Sequence, residues 1–419
     1  MNRWVRRLLA LLMLLGLLAC VARENRSIDT VRQGEKPSII FEQLASKFEG
    51  RVVIEDEGKF ILLEGSKCVQ REDATAAATI IQWIELPGYV DRGTVILNGW
   101  DLRFLHHDRE IRSMRADITH SKLVKNADST FLVFEAQGKL DAQEGADAFE
   151  FCVFYSVFGY RSTQIDASIE ANYEGIETAA VQDEKTGALG TLEYAGNKGI
   201  LKGSDEMAVI PRGFDFQFTE AFECELRLLP CQWKDRVDYR LLQIGYNLSQ
   251  AGTSPTLDGS PHWVVQTVFK ADDTYTHRVM ARATFVRGPA VKLRANFLAL
   301  NPRSGKSQSC RRGMDGVVRT QTFHVTDLPY DYAIPILTGW DLSNECEQQK
   351  VLRAGIWLHD IRFDSKNRSL AYKMSSILRD QDGAPGFNSS QRVSILGLNL
   401  THRMPKNRVP MNIMIREQE

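Results

Sequence analysis

Beyond the first two dozen residues, the apolar positions come in short runs rich in Val, Ile, Phe and Tyr. They alternate with polar neighbours and stop at Gly, Asp, Asn or Pro. A period of two in runs this short is the pattern of half-buried strands. No long stretch after the leader keeps a 3.6-residue period, so the chain reads as all-β. One candidate helix, PSIIFEQLASKF at 37–48, puts Ile39, Phe41, Leu44 and Phe48 near one face.

One phrase occurs twice. VILNGWDL ends at Leu102 and PILTGWDL at Leu342, with Leu86-Pro87 upstream of the first and Leu328-Pro329 upstream of the second. After each come a polar loop and three strand-like runs: EIRSMRADIT, STFLVFEAQGKL and AFEFCVFYSVFGY in one case, VLRAGIWLHDIRF, RSLAYKMSSILRD and QRVSILGLNL in the other. A third copy is read at LLQIGYNL, with Gly245, Tyr246, Asn247 and Leu248 in the places of Gly, Trp, Asp and Leu. A repeated unit of this kind sets the fold.

The pattern predicts three tandem antiparallel β-sandwich modules at 78–165, 215–305 and 318–405, because two amphipathic sheets bury their apolar faces against each other. Before them lies a small N-terminal α/β segment, 20–77. Residues 166–214, rich in Gly, Ala and acids, read as an insertion or linker, and 406–419 as a tail. At 419 residues the length agrees with about three domains of roughly 150 residues each.

Within the phrase, Gly99 and Gly339 read as bulge glycines. Trp100 and Trp340 read as core, and Asp101 and Asp341 as acceptors of backbone hydrogen bonds at a strand end. The competing reading is a sugar platform, in which the indole stacks on a pyranose ring while the carboxylate takes two hydroxyls. FLHHDRE follows the first copy and places His106, His107 and Asp108 in a loop. Adjacent histidines point to opposite sides of an extended chain, so they make a poor metal pair, and no metal or cofactor is expected. The loops vary from unit to unit, and variable loops on a constant scaffold are where recognition resides.

The N-terminus modifies this picture. Arg3, Arg6 and Arg7 precede LLALLMLLGLLAC, an apolar run too short to span a bilayer, as in an export signal at 1–19. Leu17-Leu18-Ala19-Cys20 resembles the lipobox of bacterial lipoproteins, which implies a diacylglycerol on Cys20. Val21 after the cysteine implies the outer membrane. Simple secretion, with cleavage after Ala22, is the alternative. Either route leaves six of the seven cysteines, an even number that implies disulfides in an oxidising compartment. The spacing selects no set of pairs; Cys224 with Cys231, and Cys310 and Cys346 in loops of the third unit, are the candidates. Asn25, Asn247, Asn367, Asn388 and Asn399 stand in Asn-x-Ser/Thr triplets.

Net charge is −1, with 52 basic against 53 acidic residues, which argues against nucleic acid as a partner. No GxSxG, HExxH, P-loop or dinucleotide motif occurs. The order of a Leu-Pro turn, a strand ending in an aromatic and an acid, a polar loop and three further strands resembles the H-type lectin module. That resemblance implies a six-stranded sandwich binding N-acetylgalactosamine-type sugars, and it carries over no sugar-contacting residue.

The resulting expectation is a membrane-anchored lipoprotein that binds a glycan or envelope component without catalysis. An architectural envelope protein with no ligand site and a secreted hydrolase are the alternatives; the oligomeric state is left open.

Overall fold

The computed structural model describes residues 50–72, 76–126, 129–142, 147–181, 188–195, 207–219, 241–249, 262–271, 275–300, 318–344, 350–379, 387–401 and 412–416. They belong to one compact unit, 46–419. They form an all-β structure of antiparallel strands in three sheets. The helix expected at 37–48 lies outside the described residues. Of the expected N-terminal segment, the described part is the hairpin of β1 (Gly50–Asp56) and β2 (Phe60–Arg71).

β2 opens a set of six strands that continues with β3 (Ala78–Leu86), β4 (Arg92–Phe104), β5 (Ile111–Lys125), β6 (Thr130–Ala142) and β7 (Phe149–Tyr160). A second set runs β8 (Ser168–Val181), β9 (Ala188–Ala195), β10 (Met207–Thr219), β11 (Leu241–Ser249), β12 (His262–Ala271) and β13 (Tyr275–Arg287). The third is β14 (Val291–Leu300), β15 (Arg319–Thr326), β16 (Tyr332–Asn344), β17 (Arg353–Asp364), β18 (Ser369–Arg379) and β19 (Phe387–Leu398), and β20 (Asn412–Arg416) follows. Residues 166–214, read as an insertion or linker, therefore carry β8, β9 and half of β10, which are full members of the sheets.

The sheet orders share one rule. They are β1-β2-β7-β4-β17-β18-β15-β20, then β8-β13-β10-β5-β6-β3, then β14-β19-β16-β11-β12-β9. Each sheet takes the first, sixth and third strands of one set and the fourth, fifth and second strands of the preceding set, with the first set following the third. The sheets pack face to face as in a sandwich, but no set closes on its own: the exposed side of each third strand is paired by its neighbour. Unpaired backbone N–H and C=O groups inside a fold are costly, and this exchange removes them.

Side-chain patterning follows. β6 alternates buried and half-buried residues along its whole length, as a strand with one face on the core must. β4 is buried on both faces from Thr94 to Leu102. Strands β4, β10 and β16 stand inside their sheets and approach one another, and the buried apolar side chains of all three sheets form one continuous core.

Candidate functional site

The repeated phrase lies in β4 and β16, and in both the register slips at the glycine: between Leu97 and Gly99 on β7, and between Leu337 and Gly339 on β19. The strand in the same place of the second set is β10, whose register on β13 slips between Pro211 and Gly213. The third copy is therefore Gly213-Phe214-Asp215. Gly245-Tyr246-Asn247 instead lies in β11 and pairs against the second copy, with Tyr246 opposite Trp340 and Asn247 opposite Gly339. Matching letters singled out the wrong strand because the conserved feature is a bulge, which tolerates Phe for Trp and has no fixed residues before it.

Two of the bulges need glycine. Gly99 has φ +155° and Gly213 φ +138°. A Cβ on Gly99 would fall 2.2 Å from the Ile356 carbonyl oxygen, and one on Gly213 2.3 Å from that of Ala116. Each bulge turns the next side chain into the core, where the three rings meet. Trp100 lies 5.0 Å from Trp340 and 5.4 Å from Phe214, and Phe214 lies 4.9 Å from Trp340, with planes inclined by 58–65°. Trp100 is 1% exposed and Trp340 6%. Rings buried to this degree offer no face to a sugar, so the platform reading fails at both tryptophans.

A polar layer adjoins the rings. The residue before each bulge glycine meets a hydroxyl on the sixth strand of its own set. Asn98 Nδ2 donates to Ser156 Oγ at 2.6 Å, Arg212 Nη1 donates to Thr284 Oγ1 at 3.4 Å, and Thr338 Oγ1 lies 3.1 Å from Ser394 Oγ. All six side chains are buried. Burial pulls the Arg212 guanidinium down to about 10, which still leaves it charged at neutral pH.

The acids after the rings serve the fold. Asp101 was expected to accept backbone hydrogen bonds; the structure gives it Arg353, whose Nε reaches Oδ1 and Oδ2 at 3.0 Å and whose Nη2 also reaches Oδ2. Asp215 faces Arg115 at 3.9 Å. Asp117, fully buried opposite Gly213, is held between Arg115 and Arg282. Desolvation, with Arg115 nearby, lowers Arg282 to about 10. Asp341 is half-buried.

The exposed chemistry is in the loop between β4 and β5. His106 and His107 are exposed and Asp108 is half-buried. The loop is clamped on two sides. Leu105 N donates to the Ala148 carbonyl at 2.9 Å and Arg109 Nε to Asp147 Oδ2 at 2.7 Å. Across from it, Arg109 N donates to Val351 O at 3.1 Å and Val351 N returns a bond to Arg109 O at 2.8 Å. Phe104 N donates to Leu352 O at 2.8 Å. The segments that follow the two GWDL phrases, 105–110 and 350–352, are thus sewn side by side. Among the described residues, no three His, Cys, Asp or Glu side chains gather to hold a metal ion.

One pair resembles a base with its nucleophile. His359 Nε2 lies 2.8 Å from Ser375 Oγ, which also lies 2.8 Å from Thr320 Oγ1. Desolvation is the largest influence on His359 and lowers its pKa. Ser375 is 1% exposed, so this hydroxyl has no open approach for a substrate carbonyl.

Sequence reasoning left the disulfides open, and the structure shows Cys68–Cys152, a pair directly opposed on β2 and β7. Strand register carried that information, and a sequence separation of 84 hid it. Cys20, Cys224, Cys231, Cys310 and Cys346 lie outside the described residues. No family model, curated protein or solved structure matches the chain.

Proposed function

We propose that this chain is an exported binding protein, held at the outer membrane by a lipid on Cys20. It recognises a glycan or another envelope component through the surface around 105–110 and 350–352. On this reading the three sets of strands are one module written three times, and catalysis has no part.

The observation that carries the proposal is a division of labour. The residues the copies share face the core or its margin: the bulge glycines and the rings are buried, Asp101 pairs with Arg353 and Asp215 faces Arg115. The polar groups of His106 and His107 stand in solvent, on a loop whose ends are fixed by backbone hydrogen bonds and the Arg109–Asp147 pair. A displayed loop on a rigid base keeps its shape on binding, which limits the entropy lost there. The apolar leader, the lipobox-like LLAC and the Cys68–Cys152 bridge support export to an oxidising compartment.

A glycan array and an envelope-protein pull-down with the full chain test this. His106→Ala/His107→Ala is expected to weaken binding at least tenfold, or about 1.4 kcal/mol, while Lys366→Ala in the β17–β18 turn leaves it unchanged. Binding indifferent to the histidine pair would remove the loop from the site. Turnover of a chromogenic sugar or ester would replace the binding reading with the hydrolase.

A further inference from the structure

A line of charge crosses the first sheet. On the neighbouring strands β2, β7, β4, β17 and β18, the residues Gln70, Glu150, Arg103, Arg353 and Arg379 stand directly opposite one another and so share one face. Gln70 Nε2 donates to Glu150 Oε1 at 3.1 Å, and Arg103 Nη2 lies 3.0 Å from Glu150 Oε2. Arg353 turns to Asp101, which precedes Arg103 on the same face of β4. The row lies at the root of the sewn loops. Phe104 N donates to the Leu352 carbonyl at 2.8 Å and Leu352 N to the Arg379 carbonyl at 2.7 Å, and His106, His107 and Lys350 are exposed beyond it.

Three arginines side by side are unfavourable, because like charges directly opposite repel. The fold does not require them. Counted from the bulge glycine, the same places hold Gln217, Ser113 and Asp141 in the second sheet and Ser343, Gln243 and Lys270 in the third. Glu150 offsets Arg103 and Asp101 offsets Arg353, while among the described residues no carboxylate answers Arg379. Hydrogen-bond donors are left over as well. The Nε atoms of Arg103 and Arg379 are buried with no hydrogen-bond partner. Buried donors are nearly always paired, so two orphans on one row call for an acceptor.

We propose that the row Arg103, Arg353 and Arg379 binds the sulfate, phosphate or carboxylate group of an acidic glycan, while His106 and His107 meet its hydroxyls. The inference rests on the loop-binding reading for the place of the site and adds the charge of the ligand. A guanidinium presents a planar fork of N–H donors that matches an oxyanion and is weakly hydrated, so it gives up little on binding one. Directly opposed side chains start about 5 Å apart, which lets two neighbouring forks reach one anionic group. The group would neutralise the surplus charge and accept from the orphaned donors. A neutral sugar would leave the charge uncompensated.

The probes are dextran sulfate and neutral dextran, titrated against the detergent-solubilised full chain by calorimetry. Wild type should bind the sulfated polymer and not the neutral one. Arg379→Gln is expected to weaken that binding roughly tenfold without lowering the thermal midpoint, since it also removes a like charge opposite Arg353. Arg379→Lys, which keeps the charge but not the fork, should recover part of the loss. Arg362→Gln removes the same charge further along β17, where the side chain is 71% exposed, and should bind as wild type does. Equal binding of the two dextrans, equal weakening in Arg362→Gln, or Arg379→Gln indistinguishable from wild type would each overturn the proposal. Binding that depends on Arg379 but not on the histidine pair would keep the row and remove the loop. Histidine-dependent binding of neutral glycans on an array, indifferent to Arg379→Gln, would do the reverse. Preference for phosphatidylglycerol vesicles over dextran sulfate would assign the row to a lipid surface and overturn the glycan.

Discussion

The indole of Trp100 rests 5.0 Å from that of Trp340, edge against face at 65°, although 239 residues separate them in the chain. With Phe214 they close the centre of the molecule, where three sheets meet. Trp340→Ala is expected to lower stability by about 3–5 kcal/mol. The loss in Trp100→Ala/Trp340→Ala should fall short of the sum of the single changes, because both rings line one site. Urea titrations of the four proteins measure this; additive losses would mean that the rings act separately.

Gly213→Ala should fail to fold, or lose several kcal/mol, because its Cβ would lie 2.3 Å from backbone atoms of β5 at a φ of +138°. Gly88→Ala, with no atom within 4 Å of the new carbon, should stay within about 0.5 kcal/mol of wild type. Soluble yield and circular dichroism melts of the two variants provide the comparison.

The Cys68–Cys152 bridge spans 84 residues, for which chain entropy gives about 4–5 kcal/mol. Cys68→Ser/Cys152→Ser is expected to cost about 2–5 kcal/mol, with denaturant midpoints that no longer respond to reductant at this pair. Equal midpoints for wild type and the double variant would show that the bridge adds nothing.

Arg353→Ala strands the Asp101 carboxylate, 8% exposed, on β4 without its cation, at a cost of about 3 kcal/mol. Adding Asp101→Asn should restore part of that loss, since a neutral amide tolerates the site better. A double-mutant cycle by thermal melting reads the coupling, and no recovery would place the loss in packing of the arginine stem.

Acid should weaken the fold through His359. Its folded pKa lies below the ordinary value of about 6.5, chiefly through desolvation. Above that value the ring is neutral in both states and the group favours neither. As pH falls below it, the unfolded chain takes up the proton first, so stability drops until the depressed folded pKa is reached. Denaturant midpoints at pH 7.5 and 5 should differ more in wild type than in His359→Gln, and equal differences would exclude this histidine as the cause.

How much of this could be read from letters varies by element. β6 announces itself: TFLVFEAQGKLDA alternates through its whole length, and the structure buries every second residue. β8 and β9 did not, because Gly, Ala and Glu in 166–195 give no contrast between faces; their place in a sheet comes from pairing with β13 and β12. GYNL misled for a related reason. Four letters resembled the phrase, while the true third copy shared only the glycine, an aromatic and an acid behind Pro211-Arg212. The exposed histidines of FLHHDRE were legible as a polar loop, whereas its junction with Val351 joins positions more than 200 residues apart.

The amino-acid order by itself determined what is local: strands in place of helices, since a two-residue apolar period puts one face in the core, and glycines at two bulges, since the phrase recurs with its aromatic and acid. Tertiary structure alone decided which strand neighbours which. Backbone hydrogen bonds carry no residue code, so the exchange of strands between sets, the meeting of Trp100, Phe214 and Trp340 and the Asp101–Arg353 pair follow from how three incomplete sheets complete one another.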